Sequence, residues 1–322
     1  MRNETLLADI GGTNARFAFC EPDGSIRDAK VLPCAAYNCA TDAALDYLWQ
    51  TGAVEGTSQA AFCVAGPVED QAIRMTNLNW DVSAEEIKTK LNADQLVLLN
   101  DFEAIALGVP ELMPEHKKAI GGGEAVANRS IAVVGPGTGL GVSYLTPAGK
   151  SWEAHAAEGG HTTMAPRSDR EGKVLADMRK HSDHISVERV VSGAGLFNIY
   201  HALCSIEGIT PEKLSPPEIA QRGQTAECKL CTDALDMFAD FLGTVVSDLA
   251  LTLGAKGGVY LAGGMLPVMG EAFRSNRFRA RFEDKGRFSD YLKEIPTFLI
   301  THPEPAFLGL ARALGIENPK LI

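Results

Sequence analysis

The chain has 322 residues, 45% of them hydrophobic and 22% charged, with a formal net charge of -11. That length accommodates two cores, and the composition is that of a soluble globular enzyme. An acidic balance with no long Lys/Arg run argues against a nucleic-acid partner, and no run of about 18 apolar residues offers a membrane span.

The N-terminal residues Met1-Arg2-Asn3-Glu4 lead straight into an apolar run, without the zones of a signal peptide. The seven cysteines are scattered, which suits free thiols in a reducing cytoplasm. Thr5 to Ile10 reads as a strand, Gly11-Gly12-Thr13-Asn14 as a turn, and Ala15 to Cys20 as a second strand. Ile26 to Leu32 is a third, so the chain opens on antiparallel hairpins. Helical spacing covers Ala43 to Trp49, and Ala60 to Ala65 is a buried type of strand. Ser83 and Glu86 have the spacing of a capping box opening a helix to about Leu91. Leu96 to Leu99 is a short strand that delivers Asn100 and Asp101 at its end, with a helix expected from Phe102.

A second strand-rich part begins near Ser130. Ile131 to Val134 runs into Gly135-Pro136-Gly137-Thr138-Gly139-Leu140-Gly141, and Val142 to Leu145 follows as a strand. The order of strand, glycine turn and strand repeats the opening of the chain. Thr232 to Leu253 is one long amphipathic helix, followed by the strand Val259 to Ala262 and Gly263-Gly264. A strand at Thr297 to Ile300 precedes a last helix, Pro305 to Leu314. A domain boundary is expected between residues 108 and 122, where glycines and prolines cluster.

Two glycine turns carry the chemistry. In the first, Asp9 ends a strand and is followed by Gly11, Gly12, Thr13 and Asn14. Glycines let backbone N–H groups approach a phosphate, and a carboxylate there suits Mg²⁺, directly or through water. The second turn, around Gly137, Thr138 and Gly139, has the same character. It is no dinucleotide fingerprint, because Leu140 stands where that pattern needs glycine. Gly149-Lys150-Ser151 is no P-loop, because Tyr144 stands at its first glycine position. An ordinary hairpin turn remains the alternative for the first loop taken alone.

Asp101 at a strand end is placed to accept a proton from a substrate hydroxyl; capping the next helix is its alternative. Glu158 and His161 flank two glycines, and Glu188 is expected early in a helix. Asn100, Asp101, Glu158, His161 and Glu188 are the residue types that read sugar hydroxyls. Cys228 and Cys231 have C-x-x-C spacing without a second pair, and His181 and His184 lack a third ligand, so neither predicts zinc.

The segments Asp9 to Arg16, Asn100-Asp101-Phe102, Gly135 to Gly141, Glu158-Gly159-Gly160-His161, Glu188 to Gly193, Leu261 to Gly264 and Phe282 to Phe288 together resemble the bacterial ATP-dependent glucokinases. These lie within the actin/hexokinase/Hsp70-like ATPase superfamily. The resemblance runs from about residue 5 to 312. It implies an α/β, two-domain actin-like ATPase (ribonuclease H-like) fold with a cleft between a small domain, 1–110 completed by 301–322, and a large domain, 111–300. It further implies that Asp9, Gly11, Gly12, Thr13, Asn14, Gly137, Thr138 and Gly139 face ATP phosphates, with Mg²⁺ at Asp9. Gly263 and Gly264 would lie beside the adenosine, and Asp101 would be the general base. Asn100, Glu158, His161 and Glu188 would hold glucose, in a homodimer. The residues after His161 contain no cysteine, so the chain looks like the zinc-free branch.

The expected activity is therefore transfer of the ATP γ-phosphoryl group to the 6-hydroxyl of glucose. Other hexoses such as fructose or mannose, and a non-catalytic sugar-sensing regulator, are the alternatives. Regulators of this kind add a helix-turn-helix segment before the first phosphate strand, for which residues 1–4 leave no room. An ATPase acting on a non-sugar acceptor is disfavoured by the Glu158, His161 and Glu188 set.

Overall fold

A computed structural model describes residues 4–53, 57–75 and 78–322. By its internal contacts the chain forms two compact units: residues 1–116, 148–156 and 302–322, and residues 117–147 and 157–301.

The first unit contains β1 (Thr5–Ile10), β2 (Asn14–Cys20), β3 (Ser25–Pro33), α1 (Ala40–Thr51), β4 (Gln59–Val64), β5 (Ala72–Met75), β6 (Trp80–Ser83), α2 (Ala84–Lys90), β7 (Gln95–Asn100) and α3 (Asp101–Gly108). The C-terminal segment adds α11 (Pro305–Ala313) and β14 (Lys320–Leu321). Its main sheet has the order β14-β3-β2-β1-β4-β7. β1, β2 and β3 form an antiparallel meander, whereas β1, β4 and β7 run parallel. The parallel strands carry near-continuous apolar runs because both faces are covered; Leu6, Leu7, Ala8, Ala60, Ala61 and Phe62 are fully buried. Phe17 stacks on Tyr47 at 5.3 Å between ring centres, fixing α1 to one face.

The second unit contains β8 (Lys117–Gly121), β9 (Ile131–Pro136) and β10 (Leu140–Ala148), then α4 (Asp169–Met178), α5 (Gly193–Ile206), α6 (Pro216–Gln224) and α7 (Lys229–Leu253). Between β10 and α4 the chain runs through β11 (Ser151–Ala157). There follow β12 (Val259–Leu261), α8 (Met265–Met269), α9 (Ser275–Glu283), α10 (Ser289–Lys293) and β13 (Thr297–Ile300). Here β10-β9-β12-β13-β8 is the strand order, with β9, β12 and β13 parallel and an antiparallel neighbour on each side. The hairpin of β9 and β10 thus stands to β12 as the hairpin of β1 and β2 stands to β4. Each hairpin turns at a glycine loop. α7 buries a long apolar face, including Phe238, Phe241 and Leu242, and stops at Gly254, whose φ of 58° is left-handed.

Several expectations from the sequence need correction. The capping box at Ser83 and Glu86 does not form: Ser83 is the last residue of β6 and its side chain makes no cap bond. The first helical amide, Ala84 N–H, donates instead to the Gln71 carbonyl at 3.0 Å. Glu188 lies in a single 3₁₀ turn, Val187–Arg189, rather than in a helix; α5 begins only at Gly193. The helix expected from Thr232 begins three residues earlier, because the Cys228 sulfur accepts the Cys231 N–H at 3.3 Å and caps it. That bond gives the C-x-x-C pair a helix-capping purpose.

Candidate functional site

The first unit gathers acidic side chains where its parallel strands end. Ile10, Val64 and Asn100 stand in register across β1, β4 and β7. One residue back, Asp9 faces Cys63 across the β1–β4 ladder, and one residue on, Asp101 opens α3. The Cys63 thiol is fully buried. Burial raises its pKa, and the charges of Asp9 and Asp101 raise it further. It donates to Asp9 Oδ1 at 3.6 Å.

Asp9 is mostly buried, with 17% of its side chain exposed. Burial raises its pKa, against the lowering pull of Arg16 and the Cys63 bond. Arg16 reaches Asp9 Oδ2 at 3.3 Å and Glu304 Oε1 also at 3.3 Å. Glu304, at the start of α11, is likewise raised by burial, and Asp9 adds to that. Two desolvated carboxylates thus share one guanidinium, a net negative spot that favours a cation. Among the described residues no group of three or more His, Cys, Asp or Glu could hold a metal ion. A single carboxylate suits Mg²⁺, which keeps waters and leans on substrate phosphates.

Asn100 is the N-cap of α3. Its Oδ1 accepts from Phe102 N–H at 2.9 Å and Glu103 N–H at 3.2 Å, and Glu103 closes the capping box on the Asn100 N–H. Its Nδ2 donates to the Gly66 carbonyl at 3.0 Å. The capping that the sequence offered to Asp101 therefore falls to Asn100, and one amide hydrogen of Asn100 remains for a ligand. Asp101 Oδ1 accepts from Phe102 N–H at 2.9 Å, which fixes its orientation on the first turn.

The glycine loop after β1 is closed by Gly11 N–H on the Asn14 carbonyl at 3.0 Å. Cys34 holds it from outside, its amide on the Thr13 carbonyl and its thiol on the Gly11 carbonyl. Gly12 and Thr13 at the tip are exposed.

In the second unit the loop after β9 closes the same way, Gly137 N–H donating to the Gly139 carbonyl at 2.8 Å. Thr138 is exposed, and a Cβ on Gly137 would meet nothing within 4 Å. Backbone amides at such a turn form an anion-binding concavity. Gly263, with φ 81°, passes 2.9 Å (from an ideal Cβ) beside the Pro136 carbonyl, and Gly264 faces open space. The turn Glu158–His161 lies on β10: a Cβ on Gly160 would fall 2.5 Å from the Leu140 carbonyl oxygen. Glu158 and His161 stand exposed, their ends 3.7 Å apart. Glu188 accepts the Leu140 N–H at 2.9 Å. Sequence reasoning missed Arg16 as a partner of Asp9, and it missed Cys63 and Glu304 altogether. Only Glu304, an acid just before Pro305 and a helix, left any local signal.

The family model described as "Glucokinase" matches residues 6–316. A glucokinase of Paramagnetospirillum magneticum is 47% identical over 99% of this chain and 99% of its own length. The crystal structure of a glucokinase from an Antarctic psychrotroph is 36% identical, with a TM-score of 0.87 over 98% of this chain and 99% of that one. A ROK family glucokinase from Streptomyces griseus, in complex with glucose and AMPPNP, has a TM-score of 0.64 at 18% identity, covering 96% of this chain and 98% of that one; that likeness shows the shared fold.

Proposed function

The chain belongs to the glucokinase family, with its actin-like ATPase fold, and from that premise we propose how its residues divide the work. It phosphorylates glucose at the expense of ATP, giving glucose 6-phosphate and ADP. We infer that Asp101 is the general base: it takes the proton of the 6-hydroxyl as that oxygen attacks the terminal phosphorus and ADP leaves. The observation that carries this is the strand-end row that sets Asp9 and Asp101 about the buried Cys63.

Gly11, Gly12, Thr13 and Asn14, and likewise Gly137, Thr138 and Gly139, are proposed to present amides to the phosphates. Gly263 and Gly264 leave room for the adenosine. The free amide hydrogen of Asn100, together with Glu158, His161 and Glu188, takes sugar hydroxyls. Asp9 fits Mg²⁺ as a desolvated oxygen ligand with surplus negative charge nearby. When bound, the ion supplies charge neutralisation to the phosphates. Residues 1–110 with 301–322 act as the small domain and 111–300 as the large one, in a cytoplasmic homodimer; family resemblance supports this assignment. Among the described residues no helix is long and apolar enough to cross a membrane.

Asp101→Ala tests the base assignment. It should lower kcat by at least about a thousandfold, the scale of general-base loss combined with misorientation, while glucose binding stays measurable by calorimetry. Phosphorylation near the normal rate would remove Asp101 from that role.

A further inference from the structure

The segment from Glu188 to Gly193 grips the phosphate loop at both ends. Gly193 N–H donates to the Gly137 carbonyl at 2.9 Å, and Glu188 Oε2 accepts the Leu140 N–H at 2.9 Å. Ser192 makes the segment rigid: its hydroxyl donates to the Glu188 carbonyl at 2.7 Å and its oxygen caps α5 through Gly195 N–H at 2.9 Å. Gly139 explains itself in this setting. Its φ is not left-handed, yet a Cβ there would lie 2.5 Å from Glu188 Oε2. The glycine is needed to admit the carboxylate. A negative group against a loop meant for phosphate is unfavourable in itself. It also occupies an amide at the loop's end.

We propose that Glu188 is a positioning residue for the phosphate loop as well as a sugar ligand, so that one side chain links glucose occupancy to the geometry of the ATP site. One carboxylate oxygen sets the Leu140 amide; the other is left for a sugar hydroxyl. A hydroxyl donated to that oxygen draws off negative charge just where the phosphate must come. Sugar binding thereby favours nucleotide binding, and the coupling is reciprocal. This rests on the reading in which Glu188 holds glucose.

The test is a comparison of kcat and of KM for glucose and MgATP among the wild type, Glu188→Ala, Glu188→Gln and Gly139→Ala. A lost charge-assisted bond to Leu140 should raise the MgATP KM of Glu188→Ala about tenfold. Glu188→Gln keeps an oxygen for the Leu140 N–H, so its MgATP KM should return to within about threefold of the wild type, while its glucose KM stays raised. Gly139→Ala, at a position whose Cβ meets only Glu188, should raise the glucose KM several-fold. An unchanged MgATP KM in Glu188→Ala, or a Gln variant no better than Ala for MgATP, overturns the proposal. A raised MgATP KM with a normal glucose KM in Glu188→Ala keeps the positioning role and removes the sugar reading of Glu188. If Glu188→Ala does not fold, the other two variants decide: Gly139→Ala with both KM values unchanged overturns the link.

Discussion

Asp9, the proposed Mg²⁺ ligand, is held in place at a cost to stability. Its carboxylate is desolvated, and its pKa is raised in the folded chain, as is that of Glu304. A raised carboxyl pKa favours the folded state only below the unfolded value, and that advantage is lost as pH rises through the folded value. At neutral pH both ionised groups therefore weigh against the fold. Asp9→Asn should raise the melting temperature of the free protein by about 1–3 °C and lower kcat by about a hundredfold or more. A calorimetric scan with a lower melting temperature would contradict the desolvation account. His302 works in the opposite sense. Burial and the neighbouring His116, 4.5 Å away ring to ring, lower its pKa to about 4, and its Nδ1 accepts the Glu304 N–H at 3.1 Å. The unfolded chain takes that proton near pH 6.5, so stability is lost as pH falls from 6.5 towards 4. His302→Gln should remove on the order of 1–2 kcal/mol of the acid destabilisation expected at pH 5. Parallel pH–melting curves for the two proteins would show that His302 is not responsible.

At the scale of elements, the tightest constraint is the crossing of α3 and α11. An ideal Cβ on Gly309 would sit 1.7 Å from the Ala104 carbonyl oxygen, and one on Gly108 would sit 2.5 Å from the Pro305 carbonyl. The helices meet backbone to backbone, and the same crossing fixes Asp101 at one helix start and Glu304 at the other. Gly309→Ala should cost about 3 kcal/mol by overpacking, read as a lower urea midpoint, with a loss of kcat from displaced Asp101. A midpoint equal to the wild type would mean the helices part freely. Neither glycine announced this in the sequence, since a helical glycine close to another helix looks like any other. The hairpins were legible, because apolar runs around Gly11-Gly12 and Gly135 to Gly141 leave no other way to turn. Ser83 misled because a capping box is a local pattern, and strand β6 claimed the residue first. Glu188 misled for a related reason: its neighbours have helical character, but Ser192 is the residue that caps α5.

At the scale of the molecule, two units repeat one plan: a hairpin turning at a glycine loop, then parallel strands beside it. The sequence showed that repetition and the residue types at each strand end. It did not show which strand ends align, because the register of Ile10, Val64 and Asn100 is a matter of tertiary pairing. The catalytic assignment depends on that alignment. The most direct measurement is a crystal structure of the enzyme with glucose and a non-hydrolysable ATP analogue. The expected result is an Asp101 carboxylate oxygen within about 3 Å of the glucose 6-hydroxyl, with the terminal phosphate in line beyond it. An Asp101 carboxylate turned away from that hydroxyl, with another base in its place, would contradict it.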